Sequence, residues 1–166
     1  VTQLKAARGV HLTMRSFSVV ALLTLALAAT APLAAGQAGV PGATIDPGIT
    51  NGSKQARLDS ARKTWNAAHV DSYSYVVKLS CYCGEQPDVK VVVRRGRLAA
   101  GTPKDMLDVA TVPRLFRTIQ RSIDRKVAAI RMTYGKRGVP SAISIDVDAR
   151  IADEESYYTI KRFTRL

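Results

Sequence analysis

From residue 73 to residue 83 the side chains alternate, with Tyr73, Tyr75, Val77, Leu79, Cys81 and Cys83 on one side and Ser74, Val76, Lys78, Ser80 and Tyr82 on the other. A period of two over that length predicts a β-strand with one apolar face, and it puts both cysteines on that face. The β-branched run Val89 to Val93 predicts a second strand ending near Arg95-Gly96. The turn residues Gly84 to Asp88 between the two runs make them an antiparallel hairpin. Upstream the period changes. Leu58, Ala61, Trp65 and Ala68 recur at spacings of three, four and three, which predicts a helix over Ser53 to Val70 with Ser53 as N-cap and Trp65 as its main core contact.

The clearest amphipathic pattern begins at Thr111, an N-cap residue with Pro113 in the first turn behind it. Val112, Leu115, Phe116, Ile119 and Ile123 fall within about 100° of helical arc, and Arg114, Arg117, Arg121 and Arg125 fall opposite. Three more strands are predicted: Ala128 to Tyr134, a run in which Ile143, Ile145 and Val147 alternate with Ser144, Asp146 and Asp148, and Tyr157 to Phe163. The order is therefore helix, two strands, helix, three strands. Short turns between strands argue for an α+β fold: an antiparallel sheet of about five strands with both helices on one face. The other face is expected to stay open, carrying Lys78, Tyr82, Ser144, Asp146 and Asp148, and is the expected partner surface.

Before the helix the pattern is of another kind. Met14 and Arg15 precede an apolar stretch from Val19 to Ala29 and then the small residues Ala34-Ala35-Gly36-Gln37-Ala38. That order is a secretory signal, with cleavage expected after Gly36 or Ala38, and the apolar run is too short for a membrane anchor. The expected organisation is residues 1–38 as upstream residues and signal peptide, 39–52 as a flexible Pro/Gly-rich leader, and 53–166 as a single domain. The product is a secreted or extracytoplasmic protein with no stable membrane span after signal removal.

The chain carries 25 Lys and Arg against 13 Asp and Glu. Lys5, Arg8 and Arg15 precede residue 39, so the remainder keeps a formal net charge of +9. Such a balance favours polyanions, which outside the cytoplasm are envelope polymers and acidic lipid head groups; nucleic acid is an unlikely partner. The arginine stripe Arg114, Arg117, Arg121 and Arg125 is a candidate anion site, since guanidinium groups clamp phosphates bidentately, although a solvated basic helix face is the simpler account. Asp146, Asp148 and Asp153, with Glu154 and Glu155, are the candidate metal ligands, but they lack the glycine and spacing of a calcium loop, and a solvated strand edge explains them as well. A lone His69 after residue 38 supports neither a hydrolase triad nor a metal-hydrolase site, and no cofactor is implied.

Cys81 and Cys83 are the only cysteines. On a regular strand residues i and i+2 stand about 6.6 Å apart, near the upper limit for a disulfide, so a bond between them requires a bend at Tyr82. Closing so small a loop adds little stability. A structural disulfide is expected in an oxidising compartment; an intermolecular bridge, free thiols, and a redox or metal role remain open. Two function classes follow: a non-catalytic binding or envelope-associated module, and a thiol-active or metal-binding protein working at Cys81 and Cys83.

Several segments form a recognisable combination: Ala61-Arg62-Lys63-Thr64-Trp65, Asp71-Ser72-Tyr73-Ser74-Tyr75 leading into Ser80-Cys81-Tyr82-Cys83, Thr111-Val112-Pro113-Arg114-Leu115-Phe116, Gly138-Val139-Pro140, Ile143-Ser144-Ile145-Asp146 and Ile151-Ala152-Asp153-Glu154-Glu155. Taken together they resemble a family of small exported bacterial proteins known as the domain of unknown function 6174. The resemblance covers nearly all of Ala61 to Ile160. It implies a secreted or surface-held domain of this size and no particular activity. Many relatives look lipid-anchored, whereas no cysteine stands at the cleavage zone here.

Overall fold

The computed structural model describes residues 44–84 and 86–166. The expected signal peptide and its cleavage zone lie outside the described residues. Among the described residues no helix is long and apolar enough to cross a membrane. The helices are α1 (Pro47–Thr50), α2 (Ser53–Ala67) and α3 (Val112–Asp124), and the strands are β1 (Tyr73–Cys81), β2 (Val89–Arg94), β3 (Arg97–Leu98), β4 (Ala129–Tyr134), β5 (Pro140–Asp146) and β6 (Ser156–Arg165). The strands form one sheet in the order β3-β2-β1-β6-β5-β4, antiparallel at every pairing.

This is the expected α+β layer with six strands in place of about five. The extra strand, β3, is two residues long, too short to leave a periodic signal. It folds back on β2 because Arg95 and Gly96 both take positive φ, at 48° and 72°. That geometry suits a two-residue hairpin turn whose twist matches the strands. From this edge the chain crosses the sheet through a 3-10 turn at Lys104–Val109 and α3, enters β4 at the far edge, and returns through β5 to β6. The last strand thus lies between the first and the fifth.

The core lies between the helices and one sheet face. Leu58, Ala61 and Trp65 of α2 and Val112, Leu115, Phe116, Ile119 and Ile123 of α3 are buried with Tyr73, Tyr75, Val77, Val91, Val93, Ile130, Met132, Ile143, Ile145 and Ile160 of the strands. Each large aliphatic side chain fully buried there contributes about 1.5–3 kcal/mol relative to exposure. Thr111 caps α3 as expected, accepting from Arg114 N at 3.2 Å. Two tyrosines tie the start of α3 to β1: Tyr75 Oη donates to Val109 O at 2.5 Å, and Val112 N donates to Tyr73 Oη at 3.0 Å. Burial pushes both phenols above their ordinary pKa, so they stay neutral and these bonds persist at any physiological pH.

A bulge keeps the end of β6 in register with the core. Ser74 faces Thr164 and Val76 faces Lys161, so Arg162 and Phe163 share the single partner Tyr75. Arg162 absorbs the extra residue at φ 54°. Without it the two-residue alternation would send Phe163 to the open face; with it, the ring stacks on Tyr73 at 5.5 Å and meets Trp65 edge-on at 6.0 Å.

Two expectations are corrected at the front of the domain. Ser53 is the first helical residue rather than the cap; Gly52 occupies the cap position, and Asn51 Oδ1 accepts from Ser53 N at 3.0 Å. The part of the expected flexible leader that is described is built into the fold. Asp46 is buried and caps α1 by accepting from Gly48 N at 2.7 Å. It also accepts from Ile130 N at 2.8 Å and pairs with Lys54 at 3.3 Å. Burial pushes its carboxyl up, but the bonds from Ile130, Gly48 and Lys54 outweigh that and leave the pKa below the ordinary value. Lys54 also donates to Ile130 O, and Arg57 donates to Met132 O at 2.9 Å. Lys54 and Arg57 therefore hold α2 to the edge strand β4.

Candidate functional site

The face of the sheet away from the helices carries the alternate residues of each strand. Lys90 of β2 stands opposite Val76, which stands opposite Lys161 of β6. One step along, Lys78 lies beside Thr159, Ala142 and Thr133, and the next row runs Ser80, Tyr157, Ser144, Arg131. At the β3 edge Arg94 faces Arg97 directly. The strand cations on this face are therefore Lys78, Lys90, Arg94, Arg97, Arg131 and Lys161, and the one strand acid is Asp146. Among the described residues none of these cations forms an ion pair.

Like charges opposite one another on an antiparallel pair cost stability, and no described acid relieves the Arg94/Arg97 pair. The floor between the cations is made of short side chains: Ser74, Val76, Thr159, Ala142 and Ser144 are half-buried. The sheet itself sets the charge spacing, at about 4.8 Å between strands and about 6.6 Å between same-face residues along one strand.

Of the residues expected on this face, Lys78, Ser144 and Asp146 lie there. Tyr82 projects from the β1–β2 turn, 82% exposed. Asp148 lies past the end of β5, where Arg150 grips it with Nε at 2.9 Å and Nη2 at 2.6 Å. Those hydrogen bonds hold its pKa down at about 2. Asp146 Oδ1 is buried and meets no hydrogen-bond donor among the described residues.

Cys81 and Cys83 form a disulfide, with their Cα atoms 5.1 Å apart. The bend this needs is present: β1 stops at Cys81, Tyr82-Cys83 is a turn, and Gly84 takes φ 87°. The expected burial of both sulfurs on the apolar side is corrected. Cys81 is half-buried, but Cys83 is exposed, because the strand alternation ends before it and the turn carries it away from the core.

The arginine stripe of α3 is divided among different partners. Arg114 Nη1 donates to Leu107 O at 2.9 Å. Arg121 Nη2 pairs with Asp108 at 3.1 Å and donates to Thr118 Oγ1 at 3.2 Å. Both thus tie α3 to the 3-10 turn before it, while Arg117 and Arg125 stand exposed. The acidic candidates Asp146, Asp148 and Asp153 do not converge: among the described residues no three His, Cys, Asp or Glu side chains are placed to hold a metal ion. Asp146 lies within the sheet, Asp148 is taken by Arg150, and Asp153 is exposed in the following turn. The residues overlooked in the sequence are Lys90, Arg94, Arg97, Arg131 and Lys161. Their signal was the shared parity of Lys90 and Arg94 within β2, but only the pairing register sets the five on one face.

No curated protein and no solved structure matches the chain. A family model described as "Family of unknown function (DUF6174)" matches residues 57–165, which run from α2 to the end of β6 and include the hairpin disulfide and the open basic face. Over that span, the greater part of its length, the chain belongs to this uncharacterised family.

Proposed function

We propose that the domain is an exported, non-catalytic binding module, and that the open face of its sheet engages an extended anionic polymer of the cell envelope. The observation that carries this reading is the set of six cations without described ion partners on one uncovered face, including the unrelieved Arg94/Arg97 pair. A fold that needed these side chains only for solubility gains nothing by placing two arginines opposite each other. An extended polymer can cross several strands and meet the Lys90, Lys161, Lys78 and Arg131 rows in turn, and charge complementarity would speed its capture. Export is supported by the signal-like order of residues 14–38.

The test is binding of the full chain to a poly(glycerol phosphate) polymer, followed by co-sedimentation. Replacing Lys78, Lys90 and Lys161 with Gln is expected to weaken binding by at least about tenfold, whereas replacing Arg117 and Arg125 with Gln leaves it unchanged. Equal binding by wild type and the sheet-face variant would refute the reading. Tighter binding to a single-stranded oligonucleotide than to the polymer would replace the envelope polymer by nucleic acid.

A second reading rests on the exposure of Cys83. A thiolate arriving from solvent could attack Cys83 Sγ, form a mixed disulfide there and release Cys81 as a thiolate. Incubation with reduced glutathione followed by intact-mass measurement tests it: a glutathione adduct on Cys83 supports exchange, and an unmodified disulfide after equilibration rules it out.

A further inference from the structure

The connection from β4 to β5, Gly135–Gly138, lies down on α2 at the corner of the sheet. Gly138 is buried at φ 74°, and a Cβ there would come within 2.2 Å of Ala61 O. Only glycine allows so close an approach in that backbone region. Arg137, beside it, also takes a left-handed conformation, at φ 64°, where a side-chain-bearing residue is uncommon. Together these two residues bring the loop against the helix. They border, with Lys136, Arg57, Ser60, Thr64 and Tyr134, a recess of about 470 Å³.

The recess is cationic. Arg57, Lys136 and Arg137 line it with no acidic side chain among the lining residues; the nearby Asp59 is engaged with Arg62 at 3.7 Å and with Gln55 at 2.9 Å. Arg57 is held in place by donating one Nη2 hydrogen to Met132 O at 2.9 Å, which leaves further N–H groups of its fork available. The Tyr134 phenol is pushed up to about 12 by burial, against the pull of Arg57 and Arg62, and so is a neutral donor. Among the described residues it donates to the weak acceptor Met132 Sδ at 3.3 Å. Ser60 adds a second hydroxyl at the rim.

We propose that this recess binds a compact phosphate group, with Arg57 as the fixed fork, Lys136 and Arg137 closing on it from the loop, and Tyr134 and Ser60 donating to the remaining oxygens. Phosphate matches the recess because it offers several strong acceptor oxygens and more than one negative charge at neutral pH. The site is separate from the open sheet face, shares no residue with it, and stands whether or not that face binds a polymer.

The test is titration of the full chain with inorganic phosphate and pyrophosphate, followed by amide chemical shifts and calorimetry. Saturable binding is expected, with shifts centred on Ser60, Thr64 and Gly138. Arg57→Gln and Arg137→Gly should each weaken it by at least about tenfold. Arg137→Gly separates charge from architecture, since glycine accepts the left-handed backbone freely, so melting temperature should hold or rise while affinity falls. The sheet-face variant K78Q/K90Q/K161Q should bind phosphate as wild type does. Absence of saturation, undiminished binding by folded Arg137→Gly, or equal displacement by acetate at matched ionic strength would each overturn the proposal.

Discussion

Two of the cationic surfaces among the described residues, the arginine stripe of α3 and the open sheet face, differ in what their charges touch. On α3, Arg114 and Arg121 turn back onto Leu107 O, Asp108 and Thr118, so half the helical stripe is engaged in fastening the helix to its own N-terminal approach. On the sheet, the cations alternate with short residues on a pleated plane, and no described acid forms an ion pair with them. A helix lets neighbouring turns and loops curl round to meet long side chains. A sheet stands its side chains away from the backbone layer, and an uncovered face supplies no partners. Equal counts of positive charge therefore mean different things on the two elements.

If α3 is chiefly architectural, its inward row should dominate stability. Leu115→Ala, at a fully buried position, is expected to cost about 2–5 kcal/mol in urea unfolding and to leave polymer affinity unchanged in the fraction that remains folded. The buried ion pair beneath α2 comes next. Asp46→Ala orphans Ile130 N and leaves Lys54 without its carboxylate, for an expected loss of about 2–3 kcal/mol.

The same carboxylate sets a pH dependence. Its folded pKa lies below the unfolded value, so its stabilisation is complete above about pH 4 and is lost as pH falls through the folded value. In Asp46→Asn the acid limb of the stability profile should flatten; an unchanged limb would place the acid sensitivity elsewhere.

Smaller effects sharpen the contrast directly. The variant K78Q/K90Q/K161Q should change folding stability by no more than about 0.5 kcal/mol while reducing polymer binding, and wild-type binding should collapse near 1 M salt, where the screening length is about 3 Å. Arg121→Gln should show the opposite pattern at lower amplitude. It removes a half-exposed ion pair with Asp108, at no more than about 1 kcal/mol of stability, with no change in binding. A drop in polymer affinity for Arg121→Gln would erase the distinction between the two surfaces.

Much of the fold was legible because hydrophobic periodicity is a local property. The alternation around Tyr73, Tyr75 and Val77 and the stripe through Leu115, Phe116 and Ile119 each name an element and its buried side from a few consecutive residues. Thr111 and Pro113 marked the start of α3 for the same reason. The tip of the first hairpin was misjudged at Cys83 because period two was extended past the point where Tyr82 and Gly84 turn the chain. The leader was misjudged at Asp46 because its partners, Ile130 and Lys54, are remote in sequence or unremarkable in pattern, and a burial that depends on them has no local signature.

The sequence by itself determined the kinds of element, their order, the inward faces of the main helices and strands, and the neighbouring cysteines that could bond across one residue. The tertiary structure alone decided which cations share a surface. Arg131, Lys161, Lys78 and Lys90 sit on four strands, and only the antiparallel registers bring them to one side. Likewise, Arg57 meets Lys136 and Arg137 only because Gly138 lets the β4–β5 turn close on Ala61. Periodicity is written between neighbours in the chain, whereas a binding surface is written between strands, whose pairing is fixed by packing of the whole core.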